Sequence, residues 1–235
     1  MKVELDSDQL VRNLIQLRHA ETQCERPEVL AGIRSDLERA LGGAVTYAVA
    51  ARALGISQTA LGKWIERGEI STVLVPNGRR RVPLRELLEL AVAVDEHHAE
   101  HPGDSHPVAA ALRRRRDAIE QLDPDDVLPR RYRRGDLSGH RLAELRGLAY
   151  HRAVARRLDP RVVADARVRL RRWREEGKID ERYATRWEEL LSRPIPSIVA
   201  LIRKDSPSSR DLRQSSPLTG LLSEAERRRV LEIAC

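Results

Sequence analysis

TYAVAARALGISQTALGKWIERGEISTVLVPNGRRRVP, residues 46–83, carries the clearest structural signals of this chain. Thr46 can cap a first helix, because a hydroxyl at that position accepts a hydrogen bond from a free amide of the first turn. Gly55 can end the same helix in the left-handed conformation without a Cβ clash. Ser57 and Gly68 repeat this pair of signals. The spacing therefore predicts two short helices joined by a tight turn.

The second half of this stretch predicts a small β-hairpin. Residues 72–75, TVLV, are β-branched or apolar, and such residues favour a strand. Asn77 and Gly78 form the strongest two-residue hairpin signal. Residues 79–82, RRRV, would return the chain as the second strand. The strongly apolar residues 84–94 predict a helix that packs beneath the motif.

The two helices and the hairpin would present polar and basic side chains suited to duplex DNA. A turn this short forces its helices to cross steeply, which would leave Gln58, Thr59, Gly62 and Lys63 on the outer side. Gln and Thr side chains can read base edges, and Lys can reach a phosphate or a guanine. The absence of a side chain at Gly62 would let the helix backbone come close to DNA.

This stretch resembles the winged helix-turn-helix shared by phage excisionases and the mercury-resistance-regulator (MerR) group. The resemblance covers residues 44–95. In that group the second helix enters the major groove, and the hairpin, called the wing, touches the DNA backbone or the minor groove. The resemblance implies second-helix contacts from Ser57, Gln58, Thr59, Gly62, Lys63 and Arg67. It implies wing contacts from Asn77, Gly78, Arg79, Arg80 and Arg81.

The remainder of the chain predicts helices. Apolar residues recur at helical spacing between turn signals, and the chain contains no Phe. We expect a mainly α protein: a winged helix-turn-helix with a small β-hairpin wing, flanking helices and a C-terminal all-α region. The predicted divisions are a helical segment at 1–43, the DNA-binding domain at 44–95, a linker at 96–106 and an arginine-rich helical domain at 107–235.

The charge of the chain favours a polyanionic partner. The formal net charge is +7 at pH 7, and a basic surplus promotes association with nucleic acid. Two arginine groups of the C-terminal region could add DNA contacts. They are Arg130, Arg131, Arg133, Arg134, Arg167, Arg171 and Arg174. The alternative is that both groups are ordinary solvated surface.

We expect neither an enzyme nor a bound cofactor or metal. The chain has no Walker loop, no Gly-rich dinucleotide turn and no GxSxG motif. His97 and His101 are four residues apart, a spacing that could place two zinc ligands on one helix face. Pro102 and Gly103 instead favour a solvated linker at this point. The two cysteines predict no disulfide framework.

Three functions from different classes remain open. We expect a sequence-specific, duplex-DNA-binding transcriptional regulator that acts as a homodimer, represses its own operon and resides in the cytoplasm. Residues 208–231, SSRDLRQSSPLTGLLSEAERRRVL, are similar to C-terminal segments of actinobacterial helix-turn-helix proteins that accompany nucleotidyltransferase-type toxins. That similarity implies an antitoxin with a toxin protein as its partner. The alternatives are an excisionase-like architectural recombination factor and an enzyme that acts on nucleic acid.

Overall fold

The computed structural model describes residues 6–24, 27–76, 78–132 and 139–234. In these ranges the protein is mainly helical and contains a small three-stranded antiparallel sheet, which confirms the predicted mainly α class. None of the described helices combines the length and the apolar character that a membrane crossing requires. The chain forms two compact units, Met1–Glu120 and Gln121–Cys235.

The first unit has six helices and three short strands among its described residues. In chain order they are α1 (Ser7–Gln23), α2 (Pro27–Ala40), β1 (Ala44–Val45), α3 (Tyr47–Ala53), α4 (Gln58–Glu66), β2 (Val73–Leu74), β3 (Arg80–Pro83), α5 (Leu84–Glu100) and α6 (Pro107–Glu120). The sheet order is β1-β3-β2. Both neighbours run antiparallel to β3, with Val45 opposite Val82 and Leu74 opposite Arg80. The hairpin was predicted, whereas β1 was not.

A single apolar core joins most elements of the first unit. Leu14 of α1, Leu61 of α4, Leu88 of α5 and Leu112 of α6 are buried in the same cluster. The predicted boundaries at 43/44 and 106/107 therefore do not separate independent cores. The division between the compact units falls after Glu120 instead, because α6 packs along α5.

The segment predicted as a solvated linker, residues 96–106, is built into the first unit. Helix α5 continues to Glu100, and His97 is only 7% exposed. Its Nε2 hydrogen-bonds with Asp104 Oδ2 at 2.7 Å, and its Nδ1 contacts the Arg114 guanidinium. These contacts correct the linker prediction, which rested on local turn signals and could not include the residues of α6.

The second unit contains only helices in its described residues. They are α7 (Pro124–Val127), a 3₁₀ turn (Arg130–Tyr132), α8 (Gly139–Ala155), α9 (Pro160–Glu175), α10 (Glu181–Leu191), α11 (Ile195–Ile202), α12 (Pro207–Gln214) and α13 (Glu224–Ala234). Helix α8 packs against α7, α11, α12 and α13. Trp187 is fully buried, and its Nε1 donates to the Leu212 carbonyl at 3.1 Å. This hydrogen bond ties α10 to α12 in the core.

Candidate nucleic-acid interface

Local hydrogen bonds set the turn between α3 and α4. The Thr46 hydroxyl accepts from the Val49 amide at 3.3 Å, which begins α3. Gly55 has φ +66°, and its amide donates to the carbonyl three residues earlier at 3.2 Å. The Ile56 amide donates to the Ala51 carbonyl at 2.9 Å. These paired bonds form a Schellman motif, so the chain turns sharply before α4.

Helix α4 is bounded by a second set of the same signals. The Ser57 hydroxyl accepts from the Ala60 amide at 3.1 Å. At the other end Gly68 has φ +72°, and the following amide donates to the Trp64 carbonyl at 2.9 Å. Leu61 is fully buried in the core. Because one side of α4 is held in the core, the opposite side is turned toward solvent.

The contact residues predicted on α4 lie on its solvent side. Gly62 is half-buried, and the remaining members of the set are exposed, namely Ser57, Gln58, Thr59, Lys63 and Arg67. Within the described part of the chain, no carboxylate forms a salt bridge with Lys63 or Arg67. Glu66 is the one acidic side chain of α4 and is also exposed. The polar side of α4 is therefore accessible and predominantly cationic.

The hairpin between β2 and β3 is closed by two backbone hydrogen bonds. The Gly78 amide donates to the Val75 carbonyl at 2.9 Å, and the Val75 amide donates to the Arg79 carbonyl at 3.0 Å. Gly78 has φ +75°, a conformation that glycine adopts without strain. Asn77, a predicted contact, lies outside the described residues. The tight turn places Arg79 at the start of the returning chain.

The three hairpin arginines differ in their surroundings. Arg79 and Arg80 are exposed, whereas Arg81 is half-buried. The Arg80 Nη1 donates to the Thr72 hydroxyl at 3.3 Å, which orients its side chain across the hairpin. Leu74, opposite Arg80 on the edge strand, is 71% exposed. The sequence interpretation did not single out Leu74, although an exposed apolar side chain beside arginines is a notable surface feature.

The first group of auxiliary arginines surrounds the 3₁₀ turn of the second unit. Arg130 is exposed and forms a salt bridge with Asp125 at 3.4 Å. The Arg131 guanidinium lies over the Tyr132 ring, 4.9 Å from its centroid. The remaining two members, Arg133 and Arg134, lie outside the described residues.

The second group of auxiliary arginines, on α9, has mostly internal partners. The Arg167 Nη2 donates to the Leu191 carbonyl at 2.6 Å. Arg174 forms salt bridges with Glu181 at 2.9 Å and Glu188 at 3.0 Å, and the hydrogen bond with Glu188 raises the pKa of Arg174. Arg171 is exposed. Helix α9 therefore presents less positive charge to solvent than the spacing of its three arginines along the sequence predicts.

The histidines and carboxylates of the described residues form no metal site. Over the described ranges, no three His, Cys, Asp or Glu side chains are grouped so that they could hold a metal ion. The rings of His97 and His101 stack at 4.6 Å between centroids, and His97 is held by Asp104 and Arg114. The exposed side of α4 and the hairpin carry the amide, hydroxyl and basic side chains that the sequence placed there. Comparisons with family models, with curated proteins and with solved structures found no match to this chain.

Proposed function

We propose that residues 44–95 act as a winged helix-turn-helix that binds double-stranded DNA, and that the protein is a sequence-specific transcriptional regulator. The observation that carries this proposal is the exposed polar side of α4. Side-chain caps begin both α3 and α4, and a glycine with positive φ follows the end of each helix. An arginine-bearing hairpin follows directly in the chain. This combination supports insertion of one helix into the major groove with phosphate contacts beside it.

Residues at the start of α4 would read sequence. Gln58 and Thr59 are exposed in the first turn, where a recognition helix reaches base edges. The amide or hydroxyl of these side chains can donate to and accept from the bases. Lys63 and Arg67 follow at helical spacing on the exposed side, so they suit phosphate oxygens or a guanine.

The hairpin would position the domain on the duplex. Arg79 and Arg80 are exposed, and guanidinium groups form strong, often bidentate hydrogen bonds with phosphate. Such contacts contribute affinity and register without reading bases. In this arrangement α4 determines sequence preference and the hairpin determines overall affinity.

A single domain of this size buries too little surface for tight operator binding. We therefore propose a homodimer that binds an inverted repeat and represses its own operon. The toxin partner implied by residues 208–231 stays a prediction, and its test is co-purification with the product of a neighbouring gene.

The experiment is selection of bound duplexes from random sequence by gel shift, followed by binding measurements on variants. Arg80→Ala should weaken binding to every duplex and reduce the slope of log K against log salt by about 1, because one phosphate contact is lost. Gln58→Ala should reduce the discrimination between operator and mismatched duplex by about 1–3 kcal/mol with little change in the salt slope.

Arg116→Ala is the matched charge control, because Arg116 is an exposed arginine of α6 in the same unit. It should leave both the operator preference and the affinity nearly unchanged. Selection that yields no preferred sequence would refute the regulator, and identical behaviour of the Arg80 and Gln58 variants would refute the assignment of roles.

A further inference from the structure

A cavity of about 410 Å³ lies between α8 and α12 in the second unit. It is lined by His140, Ala143, Glu144 and Gly147 of α8 and by Arg210, Arg213 and Gln214 of α12. The α8 residues follow i, i+3, i+4, i+7 spacing and so share one helix face. The volume is within the range of small-molecule sites, which are typically a few hundred Å³.

The carboxylates around this cavity already have arginine partners. Glu144 accepts from Arg141 at 3.0 Å, and this hydrogen bond lowers the pKa of Glu144. Asp205 accepts from Arg210 at 2.7 Å and from Arg141 at 3.2 Å. Burial alone would raise the pKa of Asp205, but these hydrogen bonds outweigh burial and lower it. Both acids are therefore ionised at neutral pH and engaged.

Arg213 is the exception among the cavity cations. It is only 8% exposed, and its Nη1 donates to the carbonyls of Ile202 at 3.3 Å and Lys204 at 2.8 Å. Its Nη2 is buried without a hydrogen-bond partner. In the described ranges no carboxylate forms a salt bridge with Arg213. A buried guanidinium nitrogen without an acceptor, on a group without a salt bridge, is unfavourable unless something else supplies them.

His151 adds no further positive charge beside Arg213. Its Nδ1 donates to the carbonyl of Gly147 at 2.7 Å, and its Nε2 is buried without a partner. Burial, with the nearby charge of Arg213 as a smaller cause, lowers the pKa of His151 to about 4. His151 is therefore neutral at physiological pH. Asp205 and Glu144 attract Arg213, but neither forms a salt bridge with it.

We propose that the cavity binds a small-molecule monocarboxylate whose carboxylate pairs with the Arg213 guanidinium. The non-polar part of such a ligand would lie against Ala143 and Gly147. The cluster has three guanidinium groups and two carboxylates, namely Arg141, Arg210, Arg213, Glu144 and Asp205. A single negative charge therefore balances it, while the ionised Glu144 in the wall repels a dianion such as phosphate. This site is independent of the proposed DNA interface.

The test uses the full chain without DNA. Binding of acetate, propionate and benzoate is measured by calorimetry and by thermal unfolding, against sodium chloride at equal ionic strength and against inorganic phosphate. At least one monocarboxylate should bind and raise Tm above the chloride control. Arg213→Gln should weaken binding at least tenfold, whereas Arg228→Gln, an exposed arginine of α13, should not change it.

A second variant separates loss of binding from loss of folding. A Cβ added at Gly147 meets no other heavy atom within 4 Å, so Gly147→Leu should fold, occupy the cavity and abolish binding while Arg213 is intact. Circular dichroism verifies folding of each variant. The proposal is overturned if no monocarboxylate binds the wild-type chain, if phosphate binds more tightly than all three, or if either folded variant binds like wild type. Since no DNA is present, these outcomes are independent of the gel-shift result.

Discussion

Replacing Gly62 with alanine separates the stability of the first unit from its proposed contact with DNA. Gly62 lies inside α4, and it is not among the glycines with positive φ. A Cβ built at this position meets no other heavy atom of the chain within 4 Å. The folded protein therefore accepts the methyl group without strain, whereas a DNA strand lying close against α4 would not.

The two expected effects have opposite signs. Alanine is about 0.5–1 kcal/mol more favourable than glycine inside a helix, because glycine loses more conformational freedom on folding. The free energy of unfolding should rise by that amount, which corresponds to a Tm increase of roughly 2–5 °C. A methyl group forced into a close-packed contact costs about 1–2 kcal/mol, so Kd for the operator should increase roughly 5- to 30-fold.

The assay combines urea unfolding, followed by circular dichroism, with fluorescence anisotropy on the selected operator at fixed salt. Gly32→Ala is the matched control. Gly32 lies inside α2, and a Cβ at that position also meets no other heavy atom within 4 Å. The control should show a similar gain in stability with unchanged Kd.

Operator affinity equal to wild type in a stabilised Gly62→Ala protein would refute a close approach of DNA to α4. An equal loss of affinity in Gly32→Ala would show that the effect arises from altered stability or dynamics of the unit. Only a loss confined to the α4 position supports the proposed geometry.

Two further predictions concern the second unit. Burial holds the pKa of His151 at about 4 in the folded chain against 6.5 for the free group, so the stability this group confers is complete above pH 6.5 and is lost as pH falls toward 4. The loss in the free energy of unfolding should reach about 3 kcal/mol. His151→Leu should remove most of the pH dependence of the urea midpoint between pH 6.5 and pH 4. A variant whose urea midpoint varies with pH as the wild type does would contradict the low pKa of His151. Trp187→Phe should cost about 1–3 kcal/mol, because it removes a buried ring and its hydrogen bond with Leu212. Trp173→Phe, at a half-buried position, should lower the free energy of unfolding by less. Equal urea midpoints for the two variants would contradict the role of Trp187 in the core.

The helix ends around the candidate interface could be predicted because their causes are local. Thr46 and Ser57 accept from amides three residues later, and Gly55 and Gly68 adopt positive φ directly after their helices. Each of these interactions lies within a few residues of chain. The exposure of the polar side of α4 followed from the same periodicity, because the apolar residues at helical spacing had to enter the core. The DNA contacts themselves remain predictions.

Features that depend on distant residues could not be predicted in the same way. Strand β1 has two residues, too few to show alternation, and it exists because β3 offers it a partner. His97 is buried because α6 returns along α5. The charge of Arg174 is compensated by glutamates of α10, which spacing along α9 cannot reveal.

The cap residues and glycine turns of this chain determined where α3 and α4 begin and end, and the apolar periodicity determined which side of α4 is buried, because those signals act over one or two helical turns. Tertiary packing decided where the two compact units divide, which arginines form salt bridges, and that the Nη2 of Arg213 is buried without a hydrogen-bond partner. These outcomes depend on contacts between segments tens of residues apart, and local patterns carry no information about which segments will meet.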